Sequence, residues 1–233
     1  MGLLSASEAK QVGDLLAGMA KDVHVRLYTQ RLNCSGCLDT ERILAELAEL
    51  SPRISLEKLN ALTDTSQRES DSVEGVPAII VSDGTHNRVR LYGTPSGYEF
   101  STLLSVITDA GSDKPVIEPA TSEFLAVLGE DLRIRVFVTP TCPHCPRAAV
   151  TAARLAAASP RVTADIVEAN EFPELSRMYG VQGVPRTVVN DRLYLEGAVP
   201  EATFVKALSS ALPSLGALDG PRDLLSFLDA AGA

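Results

Sequence analysis

VFVTPTCPHCP, residues 136–146, holds the pair Cys142-Pro143-His144-Cys145, and a second pair, Cys34-Ser35-Gly36-Cys37, stands 108 residues before it. Each pair has a Val-Pro dipeptide at one fixed distance. Val76-Pro77 and Val184-Pro185 both place the proline 43 residues after the first cysteine. Outward from the cysteines the repeat continues. Val23, Val25 and Leu27 alternate with His24, Arg26 and Tyr28 ahead of the first pair. Leu132, Ile134, Val136 and Val138 alternate with Arg133, Arg135 and Phe137 ahead of the second. A period of two predicts a strand in each place. A helix follows each pair: Ile43, Leu44, Leu47 and Leu50 recur at helical spacing in one, and the other is an alanine-rich stretch to about Ala158. Then come a strand (54–59 and 162–167), a short helix (64–71 and 172–179) and the strand after Val-Pro (78–81 and 187–189). A turn at Asp83-Gly84 or Asn190-Asp191 leads into a return strand, and a closing helix over 98–108 or 201–212 ends each half. The expected fold is α/β, two tandem βαβαββα units. Each has a leading helix, at residues 5–20, opened by a Ser5–Glu8 capping box, and at residues 121–130. The expected division is 1–112 and 113–233, across a Pro-containing connector at 111–120. The tail from Pro213 carries one more amphipathic helix, Leu224 to Leu228.

Composition narrows the function classes. The chain has 233 residues, 45% hydrophobic and 22% charged, as in an ordinary soluble globular protein. No apolar run approaches the roughly 18 residues that span a membrane. Glu8, Lys10 and Asp14 interrupt the N-terminal segment, which does not read as a signal peptide, so the expected location is cytoplasmic. The net charge of −9 is spread over both halves with no basic arm, which argues against nucleic-acid binding. All four cysteines fall in CxxC pairs. In a reducing compartment that pattern points to redox or metal chemistry rather than to structural staples. A zinc site using all four is the metal alternative. The 104 residues between Cys37 and Cys142, and the separate proline partner of each pair, argue against it. The favoured reading has neither metal nor bound cofactor, because the cysteines themselves carry the electrons.

The chemistry follows from position. A thiol attacks a disulfide only as thiolate, and a helix N-terminus lowers the cysteine pKa from its usual value of about 8.5. Cys142 is then the expected nucleophile and Cys145 the resolving thiol, with Cys34 and Cys37 in the same roles in the first unit. His144, when protonated, adds positive charge beside Cys142 and stabilises the reduced form, which makes the disulfide more oxidising. Pro143 pre-sets a helical φ, and Pro146 is tolerated in a first turn. Ser35-Gly36 lacks both proline and histidine, and only Arg31 offers positive charge nearby. Gly36 is expected to make the first site more flexible. That site reads as an electron relay, a weaker catalyst or a structural disulfide.

The chain resembles the protein disulfide oxidoreductases with two tandem thioredoxin folds, also called glutaredoxin-like, over nearly its whole length. The resemblance is carried by the opening MGLLS, RLYGTPSGYEF at 90–100, VFVTPTCPHCP at 136–146, VPRTVV at 184–189 and EGAVPE at 196–201. It implies dithiol–disulfide exchange on protein substrates, with the C-terminal pair dominant. It also implies electron supply from a thioredoxin reductase and delivery to a peroxiredoxin. Pro77 and Pro185 resemble the cis-prolines of such folds, which set the Val76 and Val184 backbone beside the thiols to pair with an extended peptide. Arg186 follows directly and is a candidate for substrate docking. The CPHC tetrapeptide is similar to that of the oxidase DsbA, at about −120 mV against about −270 mV for thioredoxin. The expectation is a second site more oxidising than thioredoxin. Departures are His144 where the family often has an aromatic, the CSGC pair, and Asn33 and Thr141 where thioredoxin has tryptophan. No buried acid is evident in the strand before either pair, and Glu168 is the candidate proton carrier. The competing functions are a dedicated shuttle between a thioredoxin reductase and a peroxiredoxin, and a peptide-binding chaperone with inert disulfides. The sequence leaves the oligomeric state open.

Overall fold

The computed structural model describes residues 3–84, 88–114 and 116–230. In chain order the elements of the first half are α1 (Ala6–Leu16), β1 (Val23–Thr29), α2 (Cys37–Leu50), β2 (Ile54–Asn60), α3 (Thr65–Ser70), β3 (Ala78–Ser82), β4 (Val89–Tyr92) and α4 (Tyr98–Ala110). The second half runs α5 (Pro119–Ala126), β5 (Leu132–Val138), α6 (Cys145–Ala158), β6 (Val162–Glu168), α7 (Pro173–Met178), β7 (Arg186–Val189), β8 (Leu193–Glu196) and α8 (Glu201–Ala211). A 3-10 turn over Leu212–Ala217, β9 (Arg222–Asp223) and α9 (Ser226–Ala230) complete the chain. The βαβαββα order appears twice, each time behind a leading helix.

Local chemistry sets the boundaries. Ser5 accepts from the Glu8 N–H, and Glu8 accepts from the Ser5 N–H, so the capping box opens α1. Asn190 and Asp191 both take left-handed φ values, 48° and 59°, which a two-residue turn between right-twisted strands demands. The first hairpin's turn, expected at Asp83-Gly84, runs on into residues outside the described ones; Gly84 itself has φ 88°. The tail differs from expectation. The helix starts at Ser226 rather than Leu224, because Arg222–Asp223 adds a two-residue strand to β8, with Leu193 opposite Arg222 and Tyr194 opposite Asp223.

All strands form one sheet, in the order β2-β1-β3-β4-β6-β5-β7-β8-β9. β3 and β7 run against their neighbours, and the rest run one way. The two halves join at β4 and β6, parallel, from Val89 opposite Ala164 to Tyr92 opposite Val167. A buried ion cluster ties the same seam. Arg90 Nε donates to Asp165 Oδ1 at 2.6 Å, and Arg133 Nε donates to Asp165 Oδ2 at 2.7 Å, with Asp165 fully buried. Arg133 and Arg135 also reach Glu74 of the first half, at 2.6 and 2.9 Å.

Alternation along the strands divides the core. Val25, Leu27, Ile134, Val136 and Ala164 face a large apolar layer shared with α1, α2, α4, α5, α6 and α8. Tyr28, Ile80, Tyr92, Phe137 and Val167 face a smaller layer, closed by Val73, Phe172, Leu175 and Tyr179 around α3 and α7. Among the described residues no helix is long and apolar enough to cross a membrane.

Candidate active site

The shared direction of β1 and β5 puts both cysteine loops at one end of the sheet. Each pair is closed as a disulfide. In each, the second cysteine opens a 14-residue helix, α2 or α6, so unpaired N–H groups and the positive helix end face the sulfurs. Pro146 lies in the first turn of α6, as its missing N–H allows. Between β1 and β5 lie β3, β4 and β6, four strand spacings or about 19 Å. A strand separation of that size argues against a shared four-cysteine zinc site, since a zinc ligand must lie about 2.3 Å from the metal.

The second pair is the more enclosed. Cys142 is 9% exposed and Cys145 fully buried, whereas Cys34 is half-buried and Cys37 buried. Val76-Pro77 and Val184-Pro185 are both cis. The Cys142 Sγ lies 3.7 Å from the Val184 carbonyl oxygen, so that dipeptide does stand beside its cysteine. The first pair differs: Cys37 Sγ accepts from the Gln30 N–H at 3.4 Å. Pro143 and His144 are exposed, and His144 is the residue that caps α6. Arg186 does not face a docking surface freely. It pairs with Glu196 across the β7–β8 hairpin, and its guanidinium lies 4.5 Å from the centre of the Tyr194 ring.

Gly36 corrects one expectation. It is buried, and a Cβ there would meet the Thr94 hydroxyl and the Glu171 carboxylate, which lies 2.5 Å from that position. Close approach by two neighbouring side chains, not flexibility, is the reason for glycine between Cys34 and Cys37.

Buried carboxyls flank the second pair. Glu168 ends β6 opposite Val138, is 3% exposed, and accepts from the Asn170 side chain and the Glu171 N–H. Burial pushes its carboxyl above the usual range, and those hydrogen bonds hold it partly back. Glu99, which the sequence reading missed, is 4% exposed, with no ion-pair partner among the described residues. Burial pushes it up to about 7; the Thr102 hydroxyl offsets part of the shift and the Glu168 charge adds to it. α4 brings it to the site. Gly97, at φ 56°, lets the chain close against Pro140, and the Tyr98 N–H donates to the Pro140 carbonyl at 2.9 Å. At the far end Arg154 of α6 donates to Asp109 of α4 at 2.6 Å, an offset of 45 residues. α4 therefore packs along α6, with Glu99 in its first turn. The signal in the sequence was an acid in the apolar stripe Glu99, Leu103, Val106, Ile107.

Residues 132–210 match the family model described as the thioredoxin domain. The chain is 30% identical over 82 residues to thioredoxin from Methanocaldococcus jannaschii, 35% of this chain and 96% of that protein. It is 22% identical over 172 residues to a component of alkyl hydroperoxide reductase from Escherichia coli, covering 74% of this chain. The chain spans about a third (31%) of the length of that protein. Its structure is similar to that of a protein disulfide oxidoreductase from Aeropyrum pernix, with a TM-score of 0.81 and 28% identity, over 90% of this chain and 94% of that one.

Proposed function

Because the chain belongs to the thioredoxin family, as a protein disulfide oxidoreductase with two tandem thioredoxin units, we propose that Cys142 and Cys145 are its main active site and act on disulfides of protein substrates. The observation that carries this is the Cys142 sulfur, at the mouth of α6 and 3.7 Å from the Val184 carbonyl. The Cys142 thiolate, stabilised by the helix end, attacks one sulfur of the substrate disulfide. A mixed disulfide forms and the other substrate sulfur leaves as thiolate. Cys145 then gives its proton to a carboxylate and attacks Cys142, releasing the second substrate thiolate. Two electrons have passed to the substrate, and Cys142–Cys145 is again a disulfide. Glu99 is the acceptor of that proton, because a buried carboxyl at about 7, in the first turn of the helix packed on α6, holds and returns a proton at neutral pH. Glu168 keeps the charge balance of the pocket. The reverse sequence oxidises a dithiol substrate.

The Val76-Pro77 and Val184-Pro185 segments are the substrate-binding edges, presenting backbone to an extended peptide. The large apolar residues Leu32 (74% exposed) and Leu38 (57%) flank the first pair along the chain and favour unfolded polypeptide there. Pro143 shapes the second loop and His144 raises its potential. Replacing Cys142 with Ser is expected to drop insulin-disulfide reduction to background, and Cys145→Ser to accumulate a mixed disulfide with substrate. Wild-type turnover in Cys142→Ser would remove the assignment.

The similarity to the alkyl hydroperoxide reductase component favours a second, narrower reading: transfer from a thioredoxin-reductase-like donor to a peroxiredoxin. Saturable reduction of a peroxiredoxin disulfide, with little activity on insulin, distinguishes it.

A further inference from the structure

The second unit reaches into the first pair of cysteines. Gly36 stands between Cys34 and Cys37 and caps α2. The Thr94 hydroxyl donates to its carbonyl at 3.4 Å, and the Thr94 N–H donates to Glu171 Oε1 at 2.7 Å. Glu171 Oε2 lies 2.5 Å from the place of a Gly36 Cβ, hence within about 4 Å of the Gly36 Cα. Behind it, the Glu171 N–H donates to Glu168 Oε2 at 2.6 Å. The carboxylate is therefore held at the positive end of α2, where a Cys34 thiolate would draw its own stabilisation. The equivalent position in the second pair is His144, which is exposed.

The other charges around the two pairs follow the same asymmetry. Asp39 lies in the first turn of α2, 3.6 Å from Arg42, and the exposed Arg31 is the cation on the Cys34 loop. The first turn of α6 carries no acid, and Arg147 follows Cys145 there. A like charge beside a thiol disfavours its ionised form. Disfavouring the thiolate disfavours the reduced pair and lowers its potential, the converse of the oxidases whose reduced form is stabilised.

We propose that Glu171, supplied by the second unit, sets the redox poise of the first pair. It makes Cys34–Cys37 the more reducing site of the chain and leaves Cys142–Cys145 the more oxidising. The inference rests on the reading of Cys34–Cys37 as redox-active. The equilibrium it shifts is the reduction of that disulfide by two glutathione thiols. They become glutathione disulfide, and two electrons and two protons pass to Cys34 and Cys37. One of those protons is released to solvent when Cys34 ionises. Glu171 acts on the last, ionised product.

The test is a glutathione titration of the full chain, with Cys34, Cys37, Cys142 and Cys145 read separately by differential alkylation and mass spectrometry. Wild type, Glu171→Gln and Glu171→Asp are compared. Glu171→Gln is expected to favour reduction of Cys34–Cys37 by about three- to tenfold, about 15 to 30 mV. It is also expected to move Cys34 alkylation to lower pH and to shift Cys142–Cys145 less. Glu171→Asp keeps the charge and is expected to stay near the wild-type poise. An unchanged first pair in Glu171→Gln, or equal shifts in both variants, overturns the proposal, since packing rather than charge would then be at work. If Cys34–Cys37 stays a disulfide across the whole wild-type titration, the redox-active reading of that pair falls and takes the inference with it.

Discussion

Glu99→Gln removes one ionisable group from the second site while keeping its shape. In the folded protein Glu99 is pushed up to about 7, against an ordinary 4.5, because burial disfavours its charge and the Thr102 hydroxyl offsets only part of that. Between those values the folded state binds more protons than the unfolded state, so wild-type stability falls as pH rises from about 4.5 to 7 and levels off above. A separation of about 2.5 pH units is worth about 3 kcal/mol at about 1.4 kcal/mol per unit. The glutamine variant lacks this slope. Its stability relative to wild type should therefore improve by about 3 kcal/mol between about pH 4 and pH 8. Glu168, also raised, tilts both proteins the same way and largely cancels in the difference. The assay is urea unfolding of the oxidised proteins at several pH values, compared through midpoints and slopes. Turnover should move the other way. Losing the acceptor for the Cys145 proton should slow insulin reduction by about tenfold, below the usual range for general acid–base groups because Glu168 and water remain. A stability difference that does not change with pH would refute the reasoning, because Glu99 would then not ionise within the range.

Replacing His144 with Phe should lower the Cys142–Cys145 potential by about 30 mV, a tenfold change in the glutathione equilibrium, measured by the same alkylation titration. Asp165→Asn strips the shared counter-charge from Arg90 and Arg133 at the seam and should cost about 3–5 kcal/mol of stability, read by denaturant unfolding. Gly36→Ala drives a methyl into Thr94 and Glu171 and should cost about 1–3 kcal/mol, with the loss seen first as faster proteolysis around the Cys34 loop. A stability unchanged from wild type in either variant would mean that the Asp165 ion cluster does not hold the seam, or that Thr94 and Glu171 do not confine the loop.

What could be read from the sequence was local. The cysteine pairs, the Val-Pro dipeptides and the strand periods lie within short windows, and the α/β order followed from them. Glu168 was named as a candidate proton carrier because it follows the strand expected at 162–167. For Glu99 the period of α4 could mark only an acid on the buried face; that this face meets α6 of the other unit is not written within α4. The β4–β6 pairing was equally hidden: nothing local joins Arg90 to Asp165, 75 residues on, which the seam buries together. Gly36 misled for the same reason, since its constraint comes from Thr94 and Glu171, far along the chain. β9, at two residues, has no period to detect.

The continuous sheet also makes the molecule a ruler. Backbone ladders across β4 and β6 tie the units into one sheet, so the two cysteine loops leave strands four spacings apart, about 19 Å, at one end of it. An extended polypeptide covers that span with about six residues. A substrate chain caught at one loop thus holds its neighbouring cysteines beside the other at an effective concentration that linker length governs. Cysteines closer together than this span cannot occupy both loops at once. The spacing of cysteines along the client, and not only their accessibility, then enters its rate.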